Sequence, residues 1–165
     1  MMQPSVPETF KSRLTRFGFN FFPAYRRSGA RLTYIAPDES EVHVKLPLNW
    51  TTRNYVGTIF GGSIYAAVDP IYMVMLLRRL GKGYIIWDKA ASIHYLKPGK
   101  TTLYARFAVD DADVSAIRSR LETAPSLERT YTVHLTDAEG EVHATVEKVL
   151  YLRKKSPQTP KEVRA

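Results

Sequence analysis

The stretch that decides the fold is residues 61–80, GGSIYAAVDPIYMVMLLRRL, which is followed by Gly81. It is apolar on nearly every side, so it predicts one long helix from Gly61 to Leu80 that other elements must cover. The small residues at its start, Gly61, Gly62, Ala66 and Ala67, would let a sheet approach the helix backbone closely. We therefore expect a sheet wrapped around this helix.

The rest of the chain supplies the strands of that sheet. Segments rich in Val, Ile, Tyr and Thr predict strands at Arg31–Ala36, Glu41–Leu46, Tyr84–Lys97, Thr101–Val109, Arg129–Thr136 and Val142–Leu152. Turn residues at 37–40, at Pro98-Gly99 and at 138–140 predict hairpins between neighbouring strands. Residues 111–124 place Val114, Ile117 and Leu121 at helical spacing, which indicates a short surface helix. The pattern predicts an α+β fold with a mainly antiparallel sheet around one central helix.

An amphipathic helix precedes this domain. From Glu8 to Phe22 a stripe of Phe10, Leu14, Phe17 and Phe21 recurs every three or four residues. The stripe could pack over the edge of the core, or it could lie on an anionic membrane; we favour burial and consider membrane association the weaker hypothesis. We thus divide the chain into an N-terminal helix and linker (1–30), a main domain (31–152) and a basic, disordered tail (153–165).

Charge and composition exclude several classes of protein. The chain has 165 residues, 24 Lys and Arg against 16 Asp and Glu, and no cysteine. Its net charge of +8 comes from the ends, because residues 32–152 hold 13 basic and 14 acidic side chains. A neutral body argues against a nucleic-acid partner. The absence of thiols excludes disulfides and thiolate metal sites, and the lack of a signal-like or membrane-spanning segment predicts a cytoplasmic protein.

Two features of the central helix could support chemistry. Asp69 is a carboxylate within a core-like helix, which suggests either a functional site or, since Pro70 follows, only an N-cap at a break between two helices. At the helix start, the free N–H groups of Gly61 and Gly62 could stabilise an oxyanion, and Asn54 in the preceding loop could orient water or a carbonyl. Tight packing at the glycines and an ordinary turn role for Asn54 are the alternatives.

The spacing of these groups implies a dimer. Eight residues separate Gly61 from Asp69, roughly 12 Å along a helix at about 1.5 Å per residue. One carbonyl cannot contact both ends of that distance within one chain. If both act on one bond, they come from two subunits whose helices run antiparallel, which predicts a homodimer and allows a tetramer.

The segment 54–62, NYVGTIFGG, together with Asp69, resembles the signature of hot-dog-fold acyl-CoA thioesterases of the phenylacetate-pathway type. That signature reads Asn-x-x-Gly-Thr-x-His-Gly-Gly, with Asp nine residues after the His. The likeness extends more loosely over residues 31–152, including residues 93–99, IHYLKPG. The whole chain also resembles a hot-dog subfamily known only as a domain of unknown function.

The resemblance implies an acyl-CoA thioester hydrolase in which Asp69 attacks the thioester or activates water. Gly61 or Gly62 of the other subunit would then polarise the carbonyl, with Asn54 orienting water or substrate. Phe60 stands where the family has His, which implies a more apolar acyl substrate, a slower reaction or a loss of activity. Dehydratases of the same fold are disfavoured, because residues 49–62 contain no His.

The remaining predictions concern ligands. Thr58 and Phe60 are expected to contact the substrate, and Arg53, Lys97 and Lys100 to contact coenzyme A phosphates, because they adjoin the proposed loop or the turn at residue 98. No cofactor is expected, since coenzyme A enters as part of the substrate. No metal site is expected, because the four histidines lie on strands without ligand spacing. The alternative function is a non-catalytic protein that binds acyl-CoA or fatty acyl ligands.

Overall fold

The computed structural model describes residues 6–155, so the predicted disorder of residues 156–165 lies outside the described part. Five helices are present: α1 (Phe10–Phe21), α2 (Pro23–Arg27), α3 (Gly61–Val68), α4 (Ile71–Leu80) and α5 (Asp111–Thr123). Six strands accompany them: β1 (Arg31–Ile35), β2 (Glu41–Leu46), β3 (Tyr84–Tyr95), β4 (Leu103–Ala108), β5 (Leu127–Thr136) and β6 (Val142–Lys154). Arg153 and Lys154, which we assigned to the tail, belong to β6.

The six strands form one antiparallel sheet in the order β1-β2-β4-β5-β6-β3. The predicted α+β class is confirmed, and the hairpin turn at 138–140 does join the paired strands β5 and β6. The predicted hairpin at Pro98-Gly99 is wrong, because β3 pairs with β6 and β4 pairs with β2 and β5. The connection from β3 therefore leads from one edge of the sheet back to its centre, and β1 and β3 form the two opposite edges.

The central helix is broken at Asp69-Pro70. Two helices, α3 and α4, replace the single helix we predicted, because Pro70 lacks an N–H to continue the ladder. The break itself was one of our two interpretations of Asp69, but its capping role is wrong. Pro70 holds the N-cap position of α4, which has no side-chain cap. Asp69 keeps helical angles at the end of α3, so its carboxylate is available elsewhere.

Helices α3 and α4 cover the core side of the sheet, where α3 contacts β2 and β6 and α4 contacts β3. The core combines their inner residues with the inward-facing residues of the strands, such as Ile64, Val68, Leu76, Phe107 and Leu150. Helix α5 buries its predicted stripe, Val114, Ile117 and Leu121. No helix within residues 6–155 has the length and apolar character needed to cross a bilayer.

Helix α1 packs on the sheet edge with the face opposite to the one we predicted. Its inner side is largely polar: Asn20 accepts from Leu32 N at 2.8 Å and donates to Leu32 O at 3.0 Å. Glu8, just before the helix, accepts from Ile35 N at 3.0 Å. These bonds occupy the free edge of β1, as a neighbouring strand would. The apolar stripe of Phe10, Leu14, Phe17 and Phe21 is consequently exposed.

Candidate functional site

A cleft opens at the start of α3, and most of the predicted site segment lines it. Its lining residues are Asn54, Thr58, Ile59, Phe60, Gly61, Gly62, Ile64, Tyr95, Leu96, Lys97, Pro98 and Gly99. Six predicted site residues are among them: Asn54, Thr58, Phe60, Gly61, Gly62 and Lys97. The sequence segment 54–62 and the turn after β3 therefore form one surface, although they are more than thirty residues apart.

Backbone hydrogen bonds fix the loop that precedes α3. Ile59 N donates to Gly99 O at 2.9 Å, and Phe60 N donates to Thr52 O at 2.7 Å. Thr52 is itself buried, and its hydroxyl donates to Pro47 O at 2.6 Å. The loop is thus anchored on both sides of the cleft, which holds the first turn of α3 in a defined position.

Gly61 and Gly62 each permit a close approach by an aromatic ring. A Cβ atom on Gly61 would lie 3.0 Å from the Tyr95 hydroxyl, which donates to Gly61 O at 3.1 Å. A Cβ atom on Gly62 would lie 2.3 Å from Cε1 of Phe60. No side chain caps α3, and the N–H groups of a first helical turn have no carbonyl partner within their helix. This turn has the donors and the positive end of the helix dipole that a developing oxyanion needs.

Asn54 holds the turn that follows it. Its side-chain oxygen accepts from Val56 N at 3.1 Å and Thr58 N at 3.0 Å, while its amide nitrogen donates to the Thr58 hydroxyl at 2.9 Å. Gly57 supplies the positive φ of 85° that this turn requires. Asn54 and Thr58 therefore contact each other at the wall of the cleft, and a direct contact of Asn54 with substrate stays a prediction.

Asp69 lies in a second polar cluster, formed by side chains that are distant from it in the sequence. Its Oδ1 accepts a hydrogen bond from Nζ of Lys148 at 2.6 Å. Lys148 on β6 is fully buried, whereas the Asp69 side chain is 43% exposed. The Lys148 ammonium also lies 3.1 Å from Oδ1 of Asp88 on β3 and 3.3 Å from the Tyr65 hydroxyl. One buried cation thus orients two carboxylates and a phenol.

The pKa values of Lys148, Asp88 and Tyr65 are raised in this cluster. Burial alone would lower the pKa of Lys148, but its hydrogen bond with Asp69 and its ion pairs with Asp69 and Asp88 outweigh burial and raise that pKa. Burial raises the pKa of Asp88, which the neighbouring ammonium only partly offsets. Burial, followed by the hydrogen bond with Asp69, raises the pKa of Tyr65. Lys148 therefore stays charged at neutral pH and supplies the counter-charge beside Asp69.

A signal for Lys148 was present in the sequence. In the alternating strand β6, Val146, Leu150 and Leu152 face the core, and Lys148 occupies the same phase. A lysine in a core phase requires a buried partner. Asp88 and Tyr65 gave no comparable signal, because their pairing depends on the register of β3 against β6 and on the position of the helix break.

Within one chain, Asp69 and the glycine turn at the start of α3 do not form a single site, since Asp69 does not line the cleft. Arg53 and Lys100 also lie outside that lining; Arg53 forms an isolated backbone bridge with Ile59. Lys97 lines the cleft and forms an ion pair with Glu141. Of the three predicted phosphate contacts, only Lys97 is therefore at the cleft.

Within residues 6–155 one group of side chains has metal-ligand spacing. The ligand atoms of Asp137, Glu141 and His143 lie within 4.8 Å of one another. His143 is hydrogen-bonded to Asp137 and to Pro98 O, each at 3.1 Å, and Glu141 pairs with Lys97. These contacts close the β5–β6 turn and support the wall of the cleft at Pro98, so we assign the group a structural role.

Residues 11–152 match a family model described as Domain of unknown function (DUF4442). The chain belongs to this family. No curated protein matches it. Among solved structures, a Pseudomonas aeruginosa protein described as a probable thioesterase aligns with a TM-score of 0.77 and 19% identity, over 92% of this chain and 100% of that one.

Two further structures extend the comparison. A Haemophilus influenzae thioesterase aligns with a TM-score of 0.65 and 13% identity, over 89% of this chain and 93% of that one. A hypothetical thioesterase from Streptococcus pneumoniae, solved with coenzyme A, aligns with a TM-score of 0.58 and 18% identity, over 87% of this chain and 99% of that one. The DUF4442 chain therefore has the hot-dog fold that its sequence motif predicted.

Proposed function

We propose that this protein is a homodimeric acyl-CoA thioester hydrolase. The observation on which this rests is the Asp69 carboxylate, part-exposed at the break between α3 and α4 and held at 2.6 Å by the buried Lys148 ammonium. A carboxylate that a buried cation fixes in direction, with one side open to solvent, is an arrangement suited to base or nucleophilic catalysis. The thioesterase names of the structural neighbours and the coenzyme A in one of them agree with this proposal.

In the proposed reaction, Asp69 either takes a proton from the attacking water or attacks the thioester carbonyl itself. The N–H of Gly61 or Gly62 from the second subunit donates to the oxygen that becomes negative. The thiolate of coenzyme A then leaves. In the first route the attacking water has already formed the carboxylic acid; in the second, a water molecule hydrolyses the anhydride between the acyl group and Asp69, which releases the acid and restores the carboxylate. Thr58 and Phe60 contact the acyl group. Lys97 attracts the phosphates of coenzyme A, together with Arg53 and Lys100, which adjoin cleft residues in the sequence.

Strand β3 supports the dimer in this proposal. It is twelve residues long, forms the free edge of the sheet, and exposes Ala90, Ala91 and Ser92 without a charge in that run. Uncharged exposed edges pair readily with another strand. Antiparallel pairing of two β3 strands would bring the two helix layers side by side, as a site shared by Gly61 and Asp69 needs. Two such dimers could pair further into a tetramer.

Free-thiol release from short, long and aromatic acyl-CoAs tests the activity. We expect the parent to hydrolyse at least one class and Asp69→Asn to lose about 10²- to 10⁴-fold in rate. Asp111→Asn is the matched control, because Asp111 is an exposed carboxylate at the start of α5, outside the cleft and the Lys148 cluster. Equal rates for the parent and Asp69→Asn would refute the catalytic role of Asp69.

Mixing two inactive variants tests the shared site. Gly61→Pro removes one N–H, and Phe60 before it already has the extended angles that proline requires. A heterodimer of Gly61→Pro and Asp69→Asn subunits would hold one intact shared site. Random mixing should then restore about one quarter of the parent rate per subunit, since half of the dimers would be mixed. No recovery despite confirmed mixed dimers would place the site within one chain.

A second candidate function follows from Phe60. Its ring lies against Gly62 at the opening of the cleft, where a hydrogen-bonding side chain would be expected in a hydrolase of the resembled type. A ring at that position suits binding of an acyl chain without turnover. A rise in Tm with acyl-CoA, in the absence of thiol release from every substrate class, would favour this binding function.

A further inference from the structure

Helix α1 exposes the apolar face that a helix on a protein surface normally buries. The residues Phe10, Leu14, Phe17 and Phe21 are 84%, 61%, 59% and 56% exposed, and Phe22 continues the patch. Phe17 and Phe21 pack on each other with ring centroids 4.4 Å apart. We call these five residues the α1 stripe. A patch of this kind marks a site of interaction.

The orientation of α1 is fixed by its other face. Ser12 is buried, and its hydroxyl and backbone N–H bond to Thr9, which caps the helix. Asn20 and Glu8 bond to the free edge of β1, and Glu8 also accepts two hydrogen bonds from Arg16 at 2.9 and 3.0 Å. The helix cannot rotate to bury its stripe without breaking these bonds. The stripe is therefore a stable feature of this surface.

Cationic side chains border the α1 stripe on both sides. At about 100° per residue, Lys11 and Arg13 lie roughly 90° and 70° on either side of the midline of the stripe. The Arg26 guanidinium lies over the Phe21 ring, 5.8 Å from its centroid. Residues 6–31 contain six basic side chains and a single acidic one, Glu8, which is hydrogen-bonded to Arg16 and to β1 and lies 4.0 Å from Nε of Arg13. A row of aromatic side chains between cations is the pattern of a helix in the plane of an anionic lipid surface.

The other possible occupants fit less well. A second copy would place this positive segment against itself, which is repulsive. The proposed pairing edge, β3, is opposite to β1, so a dimer formed there leaves the stripe uncovered. Residues 156–165 contain Val163 as their one large apolar side chain and have net positive charge, so they do not complement the stripe.

We propose that the α1 stripe docks this protein on an anionic bilayer surface, with the phenyl rings at the level of the acyl chain boundary and the cations at the lipid phosphates. The sequence alone favoured burial of the stripe over membrane association. Because the stripe is exposed in the structure, we now favour membrane association. The inference goes beyond the proposed hydrolase function and does not depend on it, since docking requires no turnover.

Co-sedimentation with vesicles tests the proposal. We expect the full chain to bind vesicles with about 30% phosphatidylserine at an ionic strength of about 0.1 M, and to bind pure phosphatidylcholine at least tenfold more weakly. The double variant Phe10→Ser/Phe17→Ser should lower the partition coefficient by about tenfold or more. Lys11→Glu/Arg13→Glu should lower it similarly, whereas Lys45→Glu/Arg120→Glu, which changes the same charge at exposed positions elsewhere, should retain binding close to that of the parent.

Three results would overturn the proposal. One is failure of the parent to bind anionic vesicles, which would leave an acidic protein as the partner. Another is undiminished binding by Phe10→Ser/Phe17→Ser with an unchanged circular dichroism spectrum. The third is a concentration-dependent oligomer that this variant abolishes, because a second copy would then cover the stripe. Thiol release measured without vesicles reports separately on the hydrolase proposal.

Discussion

The Lys148 ammonium on β6 lies 2.6 Å from the Asp69 carboxylate at the break in the central helix. This contact explains how an acidic side chain is accommodated beside the core. The same ammonium is close to Asp88, so two carboxylates share one buried positive charge. Because its pKa is raised, the stability it contributes is present below the unfolded lysine pKa of about 10.4 and is lost only as pH rises through the folded value.

Replacement of Lys148 by Met should destabilise the protein. The change leaves Asp69 and Asp88 close together without their counter-ion. Removing one partner of a fully buried pair costs about 3–5 kcal/mol, and since the Asp69 side chain is 43% exposed to water we expect about 1–3 kcal/mol. Urea denaturation at pH 7 measures the loss.

Two variants control this prediction. Lys45→Met removes an exposed lysine from β2 and should change the free energy of unfolding by no more than about 0.5 kcal/mol. The triple variant Lys148→Met/Asp69→Asn/Asp88→Asn removes all three charges and should regain part of the loss. A Lys148→Met protein as stable as the parent would mean that the cluster has no net structural role.

Asp88 should make the free energy of unfolding depend on pH. Its pKa is raised by burial, so the folded state holds this proton more tightly than the unfolded state does. The stability from this group is then fully present below the unfolded Asp pKa of about 3.9 and is lost as pH rises through the higher folded pKa. Asp88→Asn cannot titrate. The stability of the parent relative to Asp88→Asn should therefore fall as pH rises across this window.

Denaturation at a series of pH values between about 3.5 and 6 measures this difference. Asp111→Asn provides the comparison, because it removes an exposed carboxylate that pairs with Arg79 and lies outside the Lys148 cluster. A difference between parent and Asp88→Asn that stays constant over the window would contradict the raised pKa.

The fold could be predicted because local pattern and packing agree over most of the chain. Strand β2 alternates Val42, Val44 and Leu46 inward, and its predicted bounds match the structure. The hairpin at Pro98-Gly99 failed because a turn signal shows that the chain turns, but not which strands pair after it. The strand order is set by long-range packing, which a local turn does not encode.

The site was predictable only in part, for a related reason. The cleft around Gly61 and Gly62 comes from one contiguous segment and from the turn at Pro98, so a local motif describes it. The partners of Asp69 come from β3 and β6 and depend on strand register. The side of α1 that packs on the sheet was misjudged because apolar spacing identifies a stripe but not its surroundings.

Gly62→Ala should alter substrate selection more than stability. The added Cβ would lie 2.3 Å from Cε1 of Phe60, at the end of a side chain that is exposed and free to move. Alanine also favours the helix by up to about 1 kcal/mol over glycine. We expect a change in the free energy of unfolding within about 1 kcal/mol, together with a shift of the preferred acyl chain length as the ring moves.

Phe60→Ala in the Gly62→Ala background tests that mechanism. If the ring displacement causes the shift, the second substitution should abolish the difference between Gly and Ala at position 62 in kcat/KM across acyl-CoAs. Additive effects of the two substitutions would instead mean that the glycine acts without Phe60.

In α1, substitution on the polar face should reduce stability more than substitution on the apolar face, which is the reverse of an ordinary amphipathic helix. Asn20→Ala removes both hydrogen bonds to Leu32 and leaves its N–H and C=O at the sheet edge without protein partners, at a cost of about 1–2 kcal/mol. Phe17→Ser alters a ring that is 59% exposed and should cost no more than about 0.5 kcal/mol. Thermal and urea denaturation of the two variants in the absence of lipid give the comparison. A larger loss for Phe17→Ser than for Asn20→Ala would mean that the stripe is covered in solution and that the polar face of α1 does not hold the helix to β1.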